Sequence, residues 1–538
     1  MHSLYQSYKQ QPVIQDFYDA ICIGSGLGSL TTASLLARKG WKVLVLEKHT
    51  TPGGFTHVFK RNKYEWDVGL HYVGDMHRKG SMARLVFEHI TDGNLKWADM
   101  GEVYDHVIIG DKSYEYVKGL QNWKTKMKSY FPTDNDARAI DKYVELLFAV
   151  NKSSKSFFMQ KALPDFIRFL TNPFLGNDYK KFASKTTQQT LDEISDNDEL
   201  KAVLSAQFGD YGMPPDESSF VIHAAVALHY MNGGYYPIGG SEEIFNTIAP
   251  SILENGGAII VGADVQEIET ANGIATGVKM RDGKTIKSKL VISGAGVHTT
   301  FNHLISATDK QKIKYDQDVK YLPHSSGHLS LYIGLKETAA DLKLPKANYW
   351  IYPNGNLHNI AVKDFLENYK KEFPVVYISF PSAKNPKFEE KYPGRATIEI
   401  ITVAKYEWFQ KWENEKWKKR GEEYDRLKEN FAQRLLEHLY RVEPQLRGKI
   451  DYYELSTPIT TRHFCNYGKG EIYGLDHGTI RFEKDYLQPK TPIKNFYLTG
   501  QDIVTVGIAG ALMSGVLTAS AILKTNLISD MVKQAKGL

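Results

Sequence analysis

Asp19-AICIGSGLGSLTTASLLARKGWKVLVL-Glu47, with Pro52-Gly53-Gly54 close behind, is the stretch that decides the fold. Ala20 to Ile23 is a short apolar run suited to a buried parallel strand. Gly24-Ser25-Gly26-Leu27-Gly28 then predicts a tight turn into a helix starting near Leu30. Gly24 permits the turn, and Gly26 lets the backbone approach a pyrophosphate, whose charge is favoured at a helix N-terminus. A second apolar strand, Val43 to Leu46, ends at Glu47, about 20 residues beyond the glycines, where a ribose hydroxyl pair needs an acceptor. The sixth motif position, usually Gly for close helix–strand packing, is Ser29. These residues predict a dinucleotide site and leave NAD and FAD both open.

Far along the chain, Tyr497-LTGQDIVTVGIAGALMSG supplies an acid, Asp502, and a glycine-rich helix start near Gly507-Ile508. Together with Gly53-Gly54, this tail turns the reading towards FAD. The two ends must then meet, and the fold class expected is α/β. A Rossmann-type FAD-binding domain is assembled from discontinuous segments (17–75, 235–300 and 480–526), with an inserted α+β substrate domain (76–234 and 301–479). Residues 81 to 205 read as helical and polar, Glu242 to about Asn255 as a helix, and Ala258 to Ile268 and Ile274 to Met280 as strands. Asp282-Gly283 reads as a hairpin turn, and Tyr406 to Tyr440 as a charged helix. Ser293-Gly294-Ala295-Gly296 has neither a third glycine nor a trailing acid, so it reads as a strand end and not as a second dinucleotide loop.

At 538 residues the chain is long enough for two domains or one large two-lobed body. Its net charge of +5 comes with no nucleic-acid motif, which argues against that class of partner. Cys22 and Cys465 are the only cysteines, too few for a disulfide framework or a zinc site, and no other metal-ligand spacing stands out. The first sixteen residues lack a basic-then-apolar signal pattern, which sets the expectation of a cytoplasmic-side protein. Ile503 to Leu523 is strongly apolar, but its glycines suit a buried helix against a cofactor better than a membrane span. The aromatic, modestly basic segment 157–174 is read two ways, as a cover for the core or as a peripheral contact with the inner face of a membrane.

The order of these blocks resembles the amine-oxidase and phytoene-desaturase superfamily of flavoproteins. Gly53-Gly54-Phe-Thr-His-Val-Phe, Tyr64-Glu-Trp-Asp67-Val-Gly-Leu-His71-Tyr-Val-Gly74, Phe208-GDYGMPPDESSFVIHAAV, Gly233-GYYPIGGS and Phe380-PSAKNPKFEEKYPGR resemble its retinol saturase branch and the carotenoid isomerases. Ile238, before Gly239, stands where that branch is usually basic. The resemblance implies FAD held by Gly24 to Gly28, by Glu47 and Lys48, by Gly53, Gly54 and Thr56, by Val265, and by Asp502, Gly507 and Ile508. It implies an apolar polyene or lipid substrate and saturation of one double bond. Isomerisation or desaturation are the alternative reactions, and a non-enzymatic lipid chaperone is the alternative class. Because no separate nicotinamide domain is apparent, electrons are expected from transiently docking NAD(P)H, from another donor or from the substrate itself. His71 and Asp67 are candidate proton-handling residues, His71 because it titrates near neutrality. The plainer reading is that His71 packs beside the flavin and Asp67 caps a turn. His229, Tyr230, Tyr235 and Tyr236 are candidate walls of the substrate pocket.

Overall fold

The apolar strand Phe17–Ile23 alternates its side chains between two cores, as a period-two pattern buried on both faces demands. Ala20 and Cys22 pack with Leu30 and Leu35, whereas Ile21 and Ile23 pack with Val278 and Val291. This strand lies at the centre of an eight-stranded sheet in the computed structural model of the chain, which describes residues 3–160, 177–312, 319–355, 358–483 and 487–535. Its spatial order is Gln6–Ser7, Ala258–Val261, Val43–Glu47, Phe17–Ile23, Thr285–Ser293, Ile274–Met280 and Val265–Ala271, with Phe496–Leu498 paired to the far end of Thr285–Ser293. The strands from Gln6 to Ser293 in the first five places run parallel, and the last two form an antiparallel meander. Asp282-Gly283 closes its second turn, with Gly283 at φ +89°.

Helices Leu27–Ala37, Glu242–Leu253 and Gly507–Leu523 cover one face of this sheet. The two ends of the chain join there because the contact is made of glycines. A Cβ on Gly28 would stand 2.8 Å from the Gly500 nitrogen, and one on Gly515 would stand 2.5 Å from Thr31 Cβ. Thr32 Oγ1 reinforces the contact by lying 3.3 Å from both Thr499 Oγ1 and the Gly515 carbonyl oxygen.

A second, seven-stranded sheet runs Ile450–Ser456, Gly327–Leu335, Ala396–Ala404, Val376–Ser379, Asn348–Tyr352, Val103–Ile109 and Lys112–Val117. Three strands, Trp97–Asp99, Val103–Ile109 and Lys112–Val117, lie in the region expected to be helical. Their alternation is interrupted by Asp105 and His106, which hid the period. The expected strand from Ala258 to Ile268 breaks at Gly262 into Ala258–Val261 and Val265–Ala271. The charged helix begins at Glu422, after two short turns over Tyr406–Trp412.

No single described helix is long and apolar enough to cross a membrane, although Gly507–Leu523 with Leu527–Ala535, bent by 109°, passes on length and composition. Gly507–Leu523 is packed against Leu27–Ala37, with its glycine face inward. Of the segment proposed to touch a membrane, residues 161–174 lie outside the described residues, and Phe157 is buried with its ring stacked 4.2 Å from that of Tyr179.

Candidate functional site

One cavity begins on the glycine turn and runs through to the second sheet. Its near end is a cradle of backbone. Gly24 takes φ +89°, which turns the strand end towards the helix. Gly26 caps helix Leu27–Ala37 in extended geometry, and a Cβ built there meets nothing within 4 Å, so its face is open to the cavity. The first-turn N–H groups of the helix are left without intrahelical partners and present a positive end to that space. Gly54 must also be glycine, since its Cβ would press to 2.8 Å from Gly26 Cα. Ser29 is accommodated from the other side. A Cβ on Gly294 would lie 2.1 Å from Ser29 Oγ, so the missing atoms at Gly294 make room for the extra atoms at Ser29.

Glu47 sits at its strand end and organises the cradle. Its Oε2 accepts from Ser25 N–H at 2.8 Å and from Ser25 Oγ–H at 2.6 Å, while its Oε1 accepts from His49 N–H at 2.7 Å. Ser25 Oγ in turn accepts from Gly53 N–H at 2.9 Å, which ties the second glycine pair to the first. Two carboxylate oxygens offer about four acceptor positions, so capacity is left for ribose hydroxyls.

Of the residues expected to hold the dinucleotide, Gly24 to Gly28, Glu47, Lys48, Gly53, Gly54, Thr56, Val265, Gly507 and Ile508 all line this cavity. Gly507, at φ +80°, starts its helix with an open Cβ direction. The bare faces of Gly26 and Gly507, the Glu47 acceptor and the free helix ends fit a long dinucleotide with an extended ring system. Asp502 does not line the cavity. Its Oδ2 accepts from Val297 N–H at 2.7 Å and its Oδ1 from Leu475 N–H at 2.9 Å, so it clamps two loops behind the wall.

The far half of the cavity is an apolar chamber between helix Phe220–Tyr230 and the second sheet, walled by Ile222, Ala225, Val226, Trp350, Tyr377 and Val403. Tyr72 and Tyr230, on the same wall, stack face to face at 4.0 Å. Of the four candidate wall residues, His229 and Tyr230 line the cavity, and Tyr235 and Tyr236 do not. Tyr235 pairs with Asp99 and Val73 in backbone ladders, and Tyr236 donates its hydroxyl to Asp67. Asp67 is likewise off the cavity, with Oδ1 accepting from Ser241 Oγ–H at 2.5 Å and Ser241 N–H at 3.2 Å. Burial, with the charge of Glu399, pushes its carboxyl up to about 7.

His71 does line the cavity, but burial pulls its imidazole down to about 3, helped by the Lys384 charge. The ring is therefore neutral near pH 7 and holds no imidazolium proton to give. Its Nδ1 lies 3.0 Å from Glu399 Oε2 on strand Ala396–Ala404. Lys384 Nζ donates to the His71 carbonyl at 3.0 Å, to Ser379 Oγ at 2.8 Å and to Asn348 Oδ1. Burial draws this ammonium down to about 7.

Sequence reasoning did not single out Glu399, Lys384, Asp105 or Asp210 as site residues. Glu399 left one signal, a carboxylate in the otherwise apolar run Ala396-TIEIITV. Lys384 and Asp210 lie in quoted blocks, but no spacing rule picks them out.

The sequence pattern of the family described as flavin containing amine oxidoreductase matches residues 30–523. All-trans-retinol 13,14-reductase of Danio rerio is 36% identical over 557 aligned positions, covering 99% of this chain and 90% of that protein. Chloroplastic prolycopene isomerase of Arabidopsis thaliana is 25% identical, covering 94% of this chain and 82% of that protein. Among solved structures, an oxidoreductase from Methanosarcina mazei superposes with a TM-score of 0.62 at 16% identity, covering 94% of this chain and all of that one, a likeness of fold.

Proposed function

Because the chain belongs to the family of flavin containing amine oxidoreductases, we propose that it is an FAD-dependent reductase that saturates one double bond of an apolar polyene of the retinoid or carotenoid class. The observation that carries this reading is the continuity of the cavity. The dinucleotide cradle opens directly into a chamber walled by aromatic and aliphatic side chains. A relative matched over almost its whole length is named as a retinol reductase, which supports the same substrate class.

The residues divide the work by position. Gly24 to Gly28 and the first turn of Leu27–Ala37 bind the pyrophosphate, and Glu47 accepts from the ribose. Gly53, Gly54 and Thr56 border the ring, and the helix from Gly507 turns its positive end to it. Asp502 positions this arrangement by fixing the loops of Val297 and Leu475. When bound and reduced, flavin supplies a hydride to one carbon of a double bond. Trp350, Tyr377, Tyr72 and Tyr230 hold the apolar chain, and the protein must supply a proton for the neighbouring carbon. His71 serves as a neutral wall residue whose backbone carbonyl is held by Lys384.

Electrons arrive by transient docking of NAD(P)H, and the substrate arrives from a membrane surface through peripheral contact of the 157–174 segment. Flotation with liposomes tests that contact, and a protein that stays at the bottom of the gradient removes it. Isomerisation is the second reading, favoured by the match to prolycopene isomerase. Anaerobic reduction of the bound flavin followed by a panel of retinoids, carotenoids and unsaturated fatty acids decides between them. Flavin reoxidation with a product heavier by two hydrogens supports saturation. An unchanged mass with altered retention supports isomerisation, and a colourless protein that FAD cannot reconstitute refutes both.

A further inference from the structure

Building on that reading, we propose that Asp210 delivers the proton, giving it to the polyene carbon next to the one that receives the hydride. Asp210 ends the short turn Ala206–Asp210 and lines the chamber beside Tyr72, Tyr230, Trp350 and Tyr377. Gly209 lets this turn press against the wall, since a Cβ there would stand 2.6 Å from Trp350 Cζ3. The partial accessibility of Asp210 is an opening to the cavity, because the charge is otherwise enclosed.

The location of the proton follows from counting donors. Tyr72 Oη lies 3.0 Å from Asp105 Oδ2 and 3.2 Å from Asp210 Oδ2. A phenol has one hydrogen and can satisfy only one of them. Asp105 also receives Asn348 Nδ2–H at 2.8 Å and Gln207 Nε2–H at 3.0 Å. Lys384 Nζ donates to Asn348 Oδ1, which leaves the Asn348 amide N–H turned towards Asp105. Asp105 is thus surrounded by N–H donors and carries the negative charge. Two carboxylates joined through one hydroxyl do not both ionise, so the less supported Asp210 keeps its proton and donates it to Tyr72 Oη. The ring of Tyr72 is held in register by its stack on Tyr230. Burial first, and the Asp105 charge second, push the Asp210 carboxyl well above the ordinary carboxylate range, whereas Asp105 rises only to about 6.

In the step itself, the C=C π pair and the incoming hydride pair account for both new C–H bonds. One C–H bond forms with the hydride from reduced flavin, which a two-electron donor such as NAD(P)H recharges. The other forms with H⁺ from the Asp210 O–H bond, whose electrons stay on the carboxylate. Asp210 regains its proton from water once the product has left the chamber. The groups that face it are the Asp105 carboxylate and the phenols of Tyr72, Tyr211, Tyr230, Tyr352, Tyr377 and Tyr473, none of them cationic. Turnover therefore falls on the alkaline side, as Asp210 ionises.

The test uses the FAD-loaded protein and Asp210→Asn, which preserves shape. The expected result is a kcat lower by about 10²–10⁴-fold, with KM and the flavin spectrum unchanged. Infrared difference spectra against wild type should show one protonated-acid carbonyl band lost in Asp210→Asn and no such loss in Asp105→Asn, while the bands of other raised carboxyls such as Asp67 and Glu399 cancel. Tyr72→Phe is the second variant, and it moves the alkaline limb of kcat downward by removing the hydroxyl oxygen that accepts the Asp210 proton. An unchanged kcat overturns the proposal, as does a rise in KM at constant kcat, which would make Asp210 a grip on the polar end of the substrate. So does an Asp210→Asn difference spectrum from which no acid band is missing. Wild-type protein that turns over no polyene overturns the functional reading instead, and the infrared arm still decides where the proton sits.

Discussion

Gly26 and Gly28 are two residues apart, yet the structure assigns them different kinds of failure. Gly26 has φ −63° and ψ 162°, a conformation open to any residue, and its added Cβ meets nothing within 4 Å. Gly26→Ala should therefore leave the apoprotein as stable as wild type or more stable by about 0.4–1 kcal/mol, through a less flexible unfolded chain. The methyl group would, however, fill the space in which the pyrophosphate meets the backbone. Loss of one hydrogen bond to a charged group costs about 1.5–3 kcal/mol, or a roughly 10- to 150-fold weaker Kd for FAD. Gly28→Ala meets backbone instead, at 2.8 and 2.9 Å from Gly500 N and Cα, with Ser514 Oγ at 3.0 Å. Neither side can move freely, so overpacking of about 1–3 kcal/mol falls on the fold itself. The assays are thermal unfolding of the flavin-stripped proteins and FAD titration by flavin fluorescence. The reasoning is refuted if Gly26→Ala lowers the apoprotein Tm, or if it binds FAD with wild-type affinity.

Three further outcomes are expected. Ala225→Trp, which fills the chamber from helix Phe220–Tyr230, should leave FAD content unchanged and raise the KM for a polyene at least about tenfold, the cost of about 1.4 kcal/mol; undiminished turnover would place the substrate elsewhere. Asp502→Asn turns an N–H donor towards one of its two backbone N–H partners, which costs about 1–3 kcal/mol, so Tm and FAD affinity should fall together. A loss of FAD affinity at constant Tm would mean that the carboxylate touches the cofactor directly. His229 Nε2 accepts from Gly74 N–H at 2.8 Å, and burial pulls the ring down to about 4, below its value of 6.5 in the unfolded chain. The neutral acceptor therefore stabilises fully above pH 6.5, and its contribution is lost as pH falls through about 4. The Tm gap between wild type and His229→Ala should narrow over that range, and a constant gap would contradict the neutral acceptor.

The dinucleotide half of the site was legible because its determinants are local. Strand, glycine turn, helix and Glu47 occupy a single run, and its glycines answer needs that one sequence can display: a turn at Gly24, an open face at Gly26 and close packing at Gly28. Even the departure at Ser29 obeys a local rule of volume, but the residue that compensates for it, Gly294, is 265 positions away and was read only as a strand end. Asp502 misled for the same reason. Its place beside Gly500 suggested a cofactor contact, while the N–H groups it serves belong to Val297 and Leu475, which no linear spacing brings near.

The substrate half carries this difficulty further. Asp67, Asp105, Asp210, Lys384 and Glu399 come from separate parts of the chain, and no linear spacing groups them. Their meaning arises only when the second sheet folds them into one apolar surround, where an unpaired charge is too costly and every proton must be assigned. Sequence pattern offered His71 and Asp67 as candidate proton carriers, His71 because His is the residue that titrates near neutrality in water, beside the plainer reading that His71 packs and Asp67 caps a turn. In this chamber burial reverses that ranking. The imidazole is stripped of its proton and the carboxyl of Asp210 is made to keep one, so the group to test as acid is the aspartate.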